Sequence, residues 1–161
     1  MGLDGRYLRV TAVELARMIE DPEGAYEFTW GLPDDRVLWV HKAWDAISVI
    51  LRHAGPPVDL VALDVVDGEE TLPVGEWGVQ ILRPPKYLDA GQVGIAAGAL
   101  SRTSYDKLIE GPDPALLAQC YGLRGGWDGA DVEWVRRWFE PVIPFFRATA
   151  DKGDAILAWI D

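Results

Sequence analysis

The feature that most constrains this chain is a strand-like segment at each end, with mostly helical sequence between them. In "RYLRV", Tyr7 and Arg9 point to one side of an extended chain and Leu8 and Val10 to the other, as in a short β-strand. The closing "DAILAWID" has the same character, and pairing of the two segments would close a domain. The sequence therefore predicts a single helix-rich α+β domain over residues 1–161, with a small sheet that includes the N- and C-terminal strands.

The helices between these strands are predicted from their start and stop signals. Thr11 and Glu14 have the spacing of a capping box, which predicts a helix to about Asp21, before Pro22. Asp89 and Gln92 repeat that spacing at a second helix start.

Two further helical patterns carry additional expectations. In the second helix Gly94 and Gly98 are four residues apart, so they predict a face where another element packs closely. The last apolar stripe crosses Pro141 and Pro144, which predicts a kink or two abutting helices because proline removes backbone hydrogen bonds.

Two apolar stretches predict additional strands, "DLVALDVV" at residues 59–66 and "EWGVQIL" at 76–82. The stretch "YEFTW" at 26–30 is ambiguous and could be a third.

Composition narrows the possible functions. The hydrophobic share is 49 % and the charged share 25 %, as in an ordinary globular domain, and the formal net charge is −11. Such a surface repels phosphate backbones and anionic headgroups, so we expect neither nucleic-acid nor membrane binding. Cys120 is the single cysteine and cannot form an internal disulfide, which favours a cytoplasmic location. One cysteine and two histidines cannot form a zinc cluster, and we expect no metal and no cofactor.

The segment "VHKAWDAISVI", Val40 to Ile50, holds the densest group of candidate site residues. Read as one helix ending near Ala54, it places Trp44 in an apolar packing arc and aligns a polar stripe of His41, Asp45, Ser48 and Arg52 beside that arc. An aspartate beside a histidine can orient the imidazole, as a general base requires. The stripe could equally be the polar edge of a packed helix, and we favour a polar network that specifies the fold.

Other segments add candidate residues. Tyr7 and Arg9 share a strand face, and Arg9 could pair with Asp45, either structurally or as part of a pocket lining. "RPPKYL", Arg83 to Leu88, brings Tyr87 and two cations near a diproline that could bind an anion or simply connect a strand to a helix.

The glycine-rich loop "GLRGGWDGAD", the nearby Cys120 and the acidic segment "DVVDGEE" complete the candidates. Arg124, Trp127 and Asp128 could form a partner contact, or Trp127 could fold back on the core. We interpret Cys120 as a buried, inert residue and not as a nucleophile. The carboxylates of "DVVDGEE" are interpreted as a solvated turn.

Several stretches resemble the YfbM-like family of small bacterial proteins, a domain of unknown function. They are "MGLDGRYLRVT", "HKAWDAI", "YLDAGQV" and "KGDAILAWID", spread over the full length. The resemblance implies a single intracellular α+β domain and carries over no reaction, cofactor or catalytic residue.

These observations lead to two functional hypotheses. The first is a non-enzymatic cytoplasmic module that binds a basic protein partner, in an inhibitor-like or immunity-like form. The alternative is a small enzyme or ligand-binding domain with a pocket around Tyr7, Arg9, His41 and Asp45, also lined by Trp44 and Tyr87. The oligomeric state is not predicted.

Overall fold

The computed structural model describes residues 2–73 and 84–161. It contains an antiparallel sheet of four strands, in the order β2-β1-β4-β3. The strands are β1 (Gly5–Val10), β2 (Val37–His41), β3 (Lys86–Leu88) and β4 (Ala155–Ile160). The two end strands pair directly at the centre of the sheet, with Arg6 opposite Trp159 and Val10 opposite Ala155. The predicted α+β class and the predicted pairing of the end strands are confirmed.

Eight helices connect and cover these strands within the described residues. They are α1 (Ala12–Glu20), α2 (Pro22–Trp30), α3 (Trp44–Ala54), α4 (Ala90–Leu100), α5 (Tyr105–Ile109), α6 (Pro114–Leu117), α7 (Gly129–Phe139) and α8 (Val142–Asp151). Short 3-10 turns occupy Asp34–Arg36 and Val58–Val61.

The sheet carries a hydrophobic core on each face because side chains alternate along its two central strands. Tyr7 and Ile156 belong to the larger core, which packs against α3, α4, α5, α7 and α8. Leu8 and Leu157 belong to a second core, covered by residues of α1 and α2. The central strands are therefore buried on both sides.

The capping predictions agree with the structure. Thr11 and Glu14 form both hydrogen bonds of a capping box at α1, and Asp89 with Gln92 does the same at α4. The proline-containing stripe forms two abutting helices, α7 and α8, as one of the two alternatives predicted.

Two local predictions are wrong, and one ambiguous stretch is helical. "YEFTW" lies in helix α2, because Asp21 accepts a hydrogen bond from the Gly24 N–H and Pro22 occupies the first helical turn. "DLVALDVV" is no strand: Val58–Val61 is a 3-10 turn, and the next N–H groups bond to a side chain of α3. A Cβ built on Gly94 would meet no atom within 4 Å, so that face of α4 is open. The predicted strand "EWGVQIL" lies outside the described residues.

Candidate functional site

The segment "VHKAWDAISVI" divides between a strand and a helix. Val40 and His41 end β2, and α3 begins only at Trp44. His41 has a φ of 47°, and the Ala43 N–H donates to the Val40 carbonyl in the turn that follows. The prediction that His41 occupies the first turn of the helix, one turn before Asp45, is therefore wrong.

His41 pairs with a different carboxylate. Its Nδ1 lies 3.5 Å from Oδ1 of Asp4, and 44 % of its side chain is exposed. The ring stacks on Trp39 at 5.7 Å and meets the edge of Trp138 at 4.5 Å between centroids. Asp45, the partner named from the sequence, lies elsewhere.

Asp45 belongs to a hydrogen-bonded chain that connects segments distant in sequence. Its carboxylate accepts a hydrogen bond of 2.7 Å from the N–H of Tyr121, whose hydroxyl in turn accepts one from the N–H of Leu3. Cys120 precedes this contact and is buried, and burial raises the pKa of its thiol to about 12. The thiol is therefore protonated at neutral pH, in agreement with the inert role expected of it.

Ser48 and Arg52 hold the chain that follows α3. The Ser48 hydroxyl accepts hydrogen bonds from the N–H groups of Leu63 and Asp64, at 3.1 and 3.4 Å. Arg52 donates to Asp64 at 3.3 Å and to both carboxylate oxygens of Glu69, at 2.7 and 3.0 Å.

Lys86 joins the same ion-pair group from strand β3. Its buried ammonium donates to the carbonyl of Ala62 and to Glu69. Burial lowers the pKa of Lys86, although Glu69 opposes that shift. Burial also raises the pKa of Glu69, but the hydrogen bond from Arg52 and the charge of Lys86 outweigh it and leave that pKa lowered. Glu69 therefore connects α3 to β3 through two cations.

The remaining residues of the predicted pocket diverge. Tyr7 is fully buried and donates a 2.5 Å hydrogen bond to the carbonyl of Val61, and burial raises its pKa well above its usual value. Arg9 pairs with Asp35 at 3.3 Å and Asp154 at 3.7 Å, so the predicted Arg9–Asp45 pair is wrong.

Two aromatic candidates also pack separately. Trp44 is buried in the larger core, whereas Tyr87 packs against the second core on the other face of the sheet. Gly5 permits the close approach of Trp44 to β1, because a Cβ there would lie 2.4 Å from the Trp44 Cβ.

Two residues of the glycine-rich loop make contacts that stabilise the fold. Trp127 packs against the larger core, which is the folded-back alternative. Asp128 caps helix α7 by accepting hydrogen bonds from the N–H groups of Ala130 and Asp131. Arg124 is exposed.

Sequence reasoning missed a cation enclosed by indole rings, which we call the indole cluster: Arg6 with Trp30, Trp39 and Trp159. The Arg6 guanidinium carbon lies 4.5, 4.9 and 4.6 Å from the three ring centroids. Arg6 is only 2 % exposed and donates to the Asp161 carboxylate at 2.9 Å. Burial lowers the pKa of Arg6 and raises that of Asp161. Eight tryptophans in the sequence were the available signal.

The second missed feature is a groove of about 320 Å³ between α1 and α2, which we call the α1–α2 groove. Met18, Ala25 and Phe28 contribute its apolar lining, and Phe28 is 39 % exposed. The lining also includes Arg17, Glu20 and Asp21. An apolar trough with carboxylates at its edge can accept an apolar side chain flanked by cations.

Two properties of the described ranges bear on other kinds of site. Within residues 2–73 and 84–161, no group of three or more histidine, cysteine, aspartate or glutamate side chains is arranged to hold a metal ion. None of the helices in those ranges combines the length and apolarity needed to cross a membrane.

The comparisons with known proteins address the family. The family described as a domain of unknown function, DUF1877, matches residues 1–159. The chain belongs to the DUF1877 family. This DUF1877 chain also resembles the crystal structure of YfbM from Escherichia coli, itself described as a protein of unknown function. The likeness has a TM-score of 0.71 at 15 % sequence identity and covers 98 % of this chain and 99 % of that one, and it establishes the fold of the DUF1877 chain. A search of curated proteins finds no significant match.

Proposed function

We propose that this protein is a non-enzymatic cytoplasmic module that binds a basic protein partner, with an inhibitor-like or immunity-like protein as one concrete form. The supporting observations are the formal net charge of −11 and the burial of part of the cationic charge in ion pairs. Six cationic side chains make ion pairs while less than a quarter exposed, and they are Arg6, Arg9, Arg36, Arg52, Lys86 and Arg136.

Three exposed carboxylates of α1 and α2, in contrast, take part in none of these contacts. Among the ion pairs of the described residues, none involves Glu20, Glu23 or Glu27, and all three are exposed. Because the chain has a formal net charge of −11, exposed carboxylates of this kind attract a basic partner and accelerate the encounter with it.

The alternative hypothesis, a ligand pocket around Tyr7, Arg9, His41 and Asp45, has less support. Each of these side chains contacts a different group, and the contacts serve the fold. The binding module is therefore the function that this geometry favours.

Affinity purification followed by native mass spectrometry tests the proposal. We expect a stoichiometric complex with a basic protein, which must then be rebuilt from the two purified components and must weaken as salt increases. Repeated recovery of the protein alone under gentle conditions, or a complex insensitive to salt, would contradict it.

A further inference from the structure

The lining of the α1–α2 groove follows two helical stripes. Glu14, Arg17, Met18 and Asp21 lie at positions i, i+3, i+4 and i+7, and from Asp21 the lining continues with the same spacing through Gly24, Ala25 and Phe28. Residues with this spacing share one face of a helix. Each wall is thus a straight stripe about 10 Å long, given a rise of 1.5 Å per residue.

A third helix fits such a trough better than an extended chain does. Side chains on a helix form ridges that pack into the grooves of neighbouring helices, and an amphipathic helix in an apolar groove is a recurring mode of peptide recognition. Val13, one turn before Arg17 in α1, is a further exposed apolar side chain, at 63 %.

The charge around the groove defines the polar face of the occupant. Residues 12–30 hold five carboxylates and one guanidinium, that of Arg17, which leaves a net charge of −4. Glu14 is already paired with Arg36, while Glu20, Glu23 and Glu27 remain available. Basic residues beside the apolar stripe of an incoming helix would meet these carboxylates.

Given the binding role proposed above, we propose that the α1–α2 groove receives an amphipathic helix of the partner. An apolar side chain of that helix inserts over Met18 and Ala25 beside Phe28. Its lysine and arginine side chains pair with Glu20 and the neighbouring carboxylates.

A synthetic peptide of about 18 residues, long enough to form a helix, provides the probe. Its leucines occupy one helical face and its lysines the other. The first control peptide has the same composition in a scrambled order that abolishes the two faces. The second has glutamates in place of the lysines. We expect the amphipathic basic peptide to bind the full chain at least about tenfold more tightly than either control in fluorescence anisotropy.

Variants locate the site. Phe28→Ser and Glu20→Lys should each weaken peptide binding about tenfold, because they remove the apolar wall and invert a rim charge. Ile95→Ser and Glu110→Lys are matched controls, exposed on elements of the opposite sheet face, and should change the affinity less than about twofold. Circular dichroism confirms that each variant is folded.

Three outcomes would overturn the proposal. They are no binding of the amphipathic peptide by the wild-type chain, equal binding of the scrambled peptide, or equal loss in groove and control variants. The partner complex separates this test from that of the proposed function. If a basic partner is captured equally by wild type and Phe28→Ser, the binding role stands and the groove assignment fails.

Discussion

The Arg6 guanidinium closes one end of the second core, where an apolar side chain would be the ordinary choice. Its planar faces stack on indole rings, and its Nη2 reaches the half-buried Asp161 carboxylate. Its Nε is buried and has no hydrogen-bond partner within the described part of the chain. The cluster therefore depends on stacking and on one ion pair.

Arg6→Ala should lower the free energy of unfolding by about 3 kcal/mol, because it removes the stacked group and leaves the Asp161 carboxylate unpaired. Adding Asp161→Asn should recover about 1 kcal/mol, since the uncompensated charge is gone. Urea titration followed by tryptophan fluorescence measures both changes. Arg102→Ala, at an exposed position, is the control, and a loss in that variant as large as in Arg6→Ala would contradict the assignment.

Residue identity alone predicts only part of this site. The expectation of a structural polar stripe identified Ser48 and Arg52 as polar residues, and both make hydrogen bonds that hold the following chain. It could not identify their partners, because Asp64 and Glu69 reach them through the irregular path after Val61. His41 meets Asp4 and not Asp45 because α3 begins only at Trp44, about one turn later than the periodicity indicates.

At the scale of elements, capping chemistry was the reliable signal, because its hydrogen bonds join groups only three residues apart. The same local chemistry decides the ambiguous stretch "YEFTW". "YEFTW" is rich in strand-favouring residues, yet Asp21 both ends α1 and caps α2, so the helical alternative is stabilised from its first turn.

Thr11→Ala should lower the free energy of unfolding by about 1 kcal/mol, because the first turn of α1 loses the acceptor for the Glu14 N–H. Thr11→Ser keeps the hydroxyl and should lie within about 0.5 kcal/mol of the wild type. Thermal unfolding followed by circular dichroism compares the variants. Indistinguishable stabilities of the alanine and serine variants would show that the cap contributes nothing.

For the molecule as a whole, ion pairs link elements that are distant in sequence. Glu69 accepts from Arg52 of α3 and Lys86 of β3, and Glu14 of α1 pairs with Arg36 before β2. Burial alone would raise the pKa of Glu69 and of Glu14. Hydrogen bonds and nearby cations outweigh it and lower both pKa values below the ordinary value of 4.5. Folding therefore favours their ionised forms.

Stability should consequently fall as the pH drops below about 4.5, because each glutamate must take up a proton that its folded environment disfavours. The contribution is complete above the unfolded pKa and is lost as the pH passes through the lowered folded pKa. Glu69→Gln should be less stable at pH 7 by about 1–3 kcal/mol and should show a shallower decline below pH 4.5.

Chemical denaturation at several pH values measures this dependence. Parallel curves for the wild type and Glu69→Gln would contradict the role of Glu69. Burial raises the pKa of Asp161, so its contribution to stability changes with pH in the opposite sense. That contribution is the same in the wild type and in Glu69→Gln and does not affect the comparison.

The sequence by itself determined the α+β class, the two end strands and the capped helix starts, because alternation and capping are local patterns. Only the tertiary structure decided that the end strands are central and buried on both faces, that Arg6 lies among three indoles, and that α1 and α2 form a groove. The first two features depend on contacts such as Arg6–Asp161, in which 155 positions separate the partners. The periodicity of a short segment cannot predict such a contact, because the contact forms only when both cores pack against the same sheet.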